Sequence, residues 1–102
     1  MNSDKYLLEK FTQALYDLAT GEGDARSRVR VAYYRFWHIK VEDFPEKLKE
    51  KRLNIDLLLT RLPGRKGYLI PDNLARIKNK TAAKVAKIIL EIYFELKEYQ
   101  ND

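Results

Sequence analysis

Hydrophobic positions recur at helical spacing along most of this chain. Leu7, Phe11, Ala14, Leu15 and Leu18 step by threes and fours, predicting an amphipathic first helix with Ser3 as its cap and Gly21 as a left-handed stop. The next stretch, Ala25 to Val41, reads two ways. At period two, Val29, Val31, Tyr33, Trp37, Ile39 and Val41 share a side. At period 3.6, Val29, Tyr33, Phe36, Trp37 and Lys40 make one stripe, with Arg28, Val31, Arg35 and His38 beside it. The helix is the better reading. Asp24 follows a Gly21–Gly23 break and can cap the first free N–H groups, and no hairpin turn or second alternating run lies nearby.

Asp43-Phe-Pro-Glu46 reads as the next helix start, with Asp43 capping, Pro45 in the first turn and Glu46 completing a capping box. Leu48, Ile55, Leu58, Leu59 and Leu62 form its buried stripe, and Lys47, Lys49, Glu50, Lys51 and Arg52 are expected to face water. Pro63-Gly64 suits a type II turn at its end. Arg65-Lys66-Gly67 then makes a basic tip, Tyr68-Leu69-Ile70 returns to the core, and Pro71-Asp72-Asn73 opens a short helix carrying Leu74 and Ile77. Thr81 is expected to cap a long last helix whose seam is Val85, Ile89, Ile92, Leu96 and Tyr99, with a second stripe of Ala83, Ala86, Leu90 and Phe94. The expectation is all-α: a single helical domain spanning residues 1–102, a compact bundle of four main helices plus one short helix after a basic loop.

Composition narrows the chemistry. The chain has no cysteine, which excludes disulfides, thiolate catalysis and Cys-based zinc sites. The start lacks a signal-peptide pattern and no apolar run reaches membrane-spanning length, so a cytoplasmic protein with no membrane partner is expected. His38 is the only imidazole, and serine occurs only at Ser3 and Ser27, so a catalytic triad is hard to build. The Arg–His spacing of helical ribonucleases of the HEPN kind is absent, as are a phosphate-binding glycine loop and HExxH or EF-hand patterns. The carboxylates of Asp17, Glu22 and Asp24 and of Glu42, Asp43 and Glu46 sit at helix ends, where capping explains them. No enzyme, cofactor, metal or small-molecule substrate is expected.

The net charge of +5 is unevenly spread: residues 25–41 carry five basic and no acidic groups, and residues 61–90 carry eight basic and one acidic. Two functions fit. The first is a non-enzymatic accessory or regulatory module that binds a protein partner, or a second copy of itself, through aromatic and apolar helix faces. Tyr34 and His38 are its expected exposed rings. The alternative is nucleic-acid binding through phosphate contacts. The candidate partner- or phosphate-binding residues are Arg26, Arg30, Tyr34, Arg35, His38, Arg65, Lys66, Arg76, Lys78 and Lys80.

Overall fold

The computed structural model of the chain describes the backbone of residues 3–101 and the side chains of residues 4–98. The Ser3 cap and the Tyr99 end of the last seam therefore lie outside the described side chains. The protein is all-α, with five α-helices and no strand among the described residues: α1 (Ser3–Thr20), α2 (Ala25–Tyr33), α3 (Glu46–Leu58), the short α4 (Leu69–Arg76) and α5 (Asn79–Asn101), plus a 3₁₀ turn at Val41–Asp43. No described helix is long and apolar enough to cross a membrane.

α5 is the central element. Val85, Ile89, Ile92 and Leu96 are fully buried, as the seam predicts, and the helix packs against α1, α2 and α3. Lys51 meets Glu91, while Leu58 lies near Thr81, so α3 runs antiparallel to α5. Leu7, Phe11 and Ala14 carry α1 into the core, and Leu15 and Leu18 are only half-buried. The second stripe of α5 faces outward: Leu90 and Phe94 are exposed.

Asp24 caps α2 as expected, its carboxylate accepting from the Ser27 N–H at 3.1 Å. The helix is shorter than the periodicity implies. After Tyr33 the bonding tightens to three-residue steps, Arg35 N–H to Ala32, Phe36 N–H to Tyr33 and Ile39 N–H to Phe36. Side chains three apart eclipse in such turns. Tyr33, Phe36 and Ile39 are thereby buried together, while Trp37 and Lys40, which a continuing α-helix would carry on the Tyr33 face, stay outside.

Several local expectations are corrected. Gly21 is not left-handed; that conformation falls on Gly23, at φ 87°. Gly21 is needed for space, since a Cβ there would sit 2.6 Å from the Asp17 carbonyl oxygen. Asp43 closes the 3₁₀ turn instead of capping α3, which begins after Pro45 without a side-chain cap bond, because the intervening Phe44 turns into the core. Gly64 does not have the positive φ of a type II turn. Leu62, Tyr68 and Leu69 are exposed, and α4 starts two residues before Pro71. α5 begins at Asn79, so Thr81 lies inside the helix rather than at its cap.

The largest correction is Arg52. It shares the inward face of α3 with Leu48 and Ile55 and is 3% exposed. Its guanidinium lies 5.8, 5.3 and 5.8 Å from the ring centroids of Tyr33, Phe36 and Phe44, and Nη1 donates to Asp56 Oδ1 at 2.7 Å. Burial pushes the Tyr33 phenol above its usual pKa, with the Asp56 carboxylate adding to the effect. R52A should cost about 3 kcal/mol in urea unfolding followed by far-UV circular dichroism, because a buried ion pair and its aromatic contacts are broken. R52M should lose less, since it refills the space and Asp56, 29% exposed at its side chain, stays hydrated.

Candidate functional site

The three-residue turns that bury Tyr33, Phe36 and Ile39 also decide what faces outward. Val31, Tyr34 and Trp37 form the complementary exposed row, and Trp37, the only tryptophan, is 57% exposed. His38 joins them. Its Nε2 lies 2.9 Å from the Tyr6 hydroxyl of α1, and its ring meets those of Tyr6 and Trp37 edge-on, at 6.2 and 6.0 Å. Lys10 stands 5.4 Å from the Tyr6 ring centroid. The result is one aromatic face made by α1 and the turns after α2. Tyr34 and His38 are exposed as the sequence predicts. Trp37 was expected within the helical stripe, and Tyr6 lies 32 residues from His38, so no local pattern connects them.

Most of the basic candidates lie away from that face or are held by their own chain. Arg26 pairs with Asp24 at 3.3 Å, and Arg35 holds Asp17 through two bonds, Nε to Oδ2 at 2.7 Å and Nη2 to Oδ1 at 3.2 Å. Arg30 is exposed, one turn before Tyr34. Arg65 and Lys66 lie in the loop after α3, Arg76 ends α4, Lys78 lies in the link that follows and Lys80 in the first turn of α5.

Side chains of α4 organise that loop. Asn73 is fully buried, donates to the Leu62 and Leu69 carbonyls and accepts from the Leu62 N–H. Asp72 accepts the Arg65 backbone N–H at 2.9 Å and both arms of its guanidinium, at 3.0 and 2.8 Å. Arg65 also lies 4.7 Å from the Tyr68 ring centroid. Arg76 donates to the Pro63 carbonyl from the other side. Five of the eight arginines, at 26, 35, 52, 65 and 76, are therefore engaged by acceptors of their own chain.

No known family model, curated protein or solved structure matches the chain, and its functional reading rests on this geometry.

The Arg65 guanidinium and backbone N–H hold the Asp72 carboxyl down to about 2, from 3.8 for the free group. A depressed carboxylate stabilises the fold above its unfolded pKa, so the clamp is complete above pH 3.8 and is lost as pH falls through about 2. An NMR titration of the Asp72 carboxyl carbon should give the low midpoint, and R65Q should move it back toward 3.8.

Proposed function

We propose that this protein is a small non-enzymatic accessory module that binds another protein through the face formed by Tyr6, Val31, Tyr34, Trp37 and His38. The observation that carries the reading is the exposure of Trp37. A domain this small gains most from burying its largest ring, yet the turns after α2 direct Trp37 outward and bury the smaller Phe36 and Ile39. Tryptophan and tyrosine are the residues that dominate interface energetics when a partner removes them from water.

Two further features support this assignment. The Tyr6 phenol engages His38 Nε2, holding the ring edge-on within the face. Carboxylates and carbonyls of the chain engage Arg26, Arg35, Arg65 and Arg76, which draws much of the candidate guanidinium set into internal contacts. A cytoplasmic setting suits a chain without cysteine.

Two measurements test the reading. Sedimentation velocity across a concentration series asks whether the partner is a second copy. Photo-crosslinking from position 37, in the cell of origin, asks for a different chain. The expected result is a discrete complex or adduct from position 37, none from the exposed Tyr16, and binding about 30-fold weaker or worse in W37A with unchanged circular dichroism. A monomer at every concentration, together with equal crosslinking from positions 16 and 37, would overturn it.

A further inference from the structure

A separate site lies where α3 and α4 end and α5 begins. Leu58, Leu62 and Ile77 form the apolar floor of a cleft of about 310 Å³, and Arg61, Arg76 and Lys78 stand around it. Arg61 and Lys78 are exposed and make no ion pair among the described residues. Thr81 lines the cleft from the first turns of α5, and Lys84 follows it by one turn on the same side of the helix. Lys80, Lys84 and Lys87 are all exposed at spacings of four and three, so they extend the cationic rim as a ridge of about 10 Å.

This arrangement runs against local electrostatics. Like charges three and four residues apart repel along a helix, and the first turn, which holds Lys80, is the unfavourable end for a cation. Four arginines elsewhere are matched to carboxylates: Asp24 serves Arg26, Asp17 serves Arg35, Asp56 serves Arg52 and Asp72 serves Arg65. Residues 73–90 contain no acidic side chain at all. A row of like charges on one helix face, within a run that has no acidic side chain, marks a functional surface.

We infer that the cleft and ridge bind the phosphate backbone of a single nucleic-acid strand. Arg61 supplies the planar donors that grip a phosphodiester, Arg76 adds its charge while its Nη2 stays on the Pro63 carbonyl, and Lys78, Lys80, Lys84 and Lys87 supply point charges along the path. The apolar floor accommodates the sugar or base edge between successive phosphates. A concave cleft of this size admits a strand, whereas its floor is out of reach of a flat bilayer surface. The site is independent of the aromatic face.

The test is fluorescence anisotropy with a labelled single-stranded oligonucleotide at about 50 and about 200 mM salt. Six contacted phosphates should weaken binding by several hundred-fold between the two. K84Q/K87Q, at two exposed positions, should flatten the log–log salt dependence by about 1.4 and leave circular dichroism unchanged. R61Q should weaken binding at both salts, and the exposed control K40Q should not. W37A should leave the isotherm unchanged, which separates this inference from the protein-binding face. The inference is overturned by no binding at 50 mM salt or by a slope that K84Q/K87Q does not change. Tighter binding of duplex, of polyglutamate or of anionic phospholipid vesicles than of the strand would overturn it equally.

Discussion

The buried guanidinium of Arg52 is the constraint on which the rest of the core depends. A cation at 3% exposure is tolerable only if its surroundings supply what water would, and here three aromatic rings and one carboxylate do so. Those rings come from both sides of the segment joining α2 to α3: Tyr33 and Phe36 precede the 3₁₀ turn, and Phe44 follows it. Phe11 of α1 stacks on Phe36 at 4.4 Å and meets Phe44 edge-on at 5.9 Å, which ties the first helix to the same cluster. Arg52 Nε is buried without a partner, so the guanidinium is not fully satisfied and its position is held by packing as much as by hydrogen bonding. The tight turns after Tyr33 follow from this, because Phe36 and Ile39 must both reach the cluster.

That dependence also explains which parts of the structure were legible in the sequence. The helices, the Asp24 cap and the Val85–Leu96 seam follow from local periodicity and local chemistry, and they stand as expected. The end of α2 was not legible. Over ten residues dense in aromatic and β-branched side chains, a period of 3.0 and a period of 3.6 select nearly the same positions and differ mainly in whether Trp37 or Ile39 turns inward. Arg52 was misplaced for a different reason. It sits in a run of charged residues whose neighbours do face solvent, and only the distant rings make its burial tolerable. Asp43 and Gly21 show the same limit, each having a plausible local role that Phe44 packing or the Asp17 carbonyl overrides.

The surface divides by how charge is handled. Around α2 and the loop after α3, Arg26, Arg35 and Arg65 are matched to carboxylates, and rings stand exposed among them at Tyr34, Trp37 and Tyr68. Along the first half of α5 the cations make no ion pair among the described residues, and rings are missing. Farther along the same helix Glu91 takes up Lys51, and the outward stripe becomes apolar at Leu90 and Phe94. One helix thus presents a cationic first half and, beyond it, a net acidic half with exposed apolar side chains, and salt screens the first while it strengthens burial of the second.

Having its sole indole already in water has an optical consequence. Tryptophan emission reports the polarity around the ring, and Trp37 is already more than half exposed in the fold. The emission wavelength of Trp37 therefore shifts little on loss of the fold. It is instead a built-in probe of any encounter that dries the aromatic face, so that folding and recognition can be followed in one sample by two signals that do not interfere.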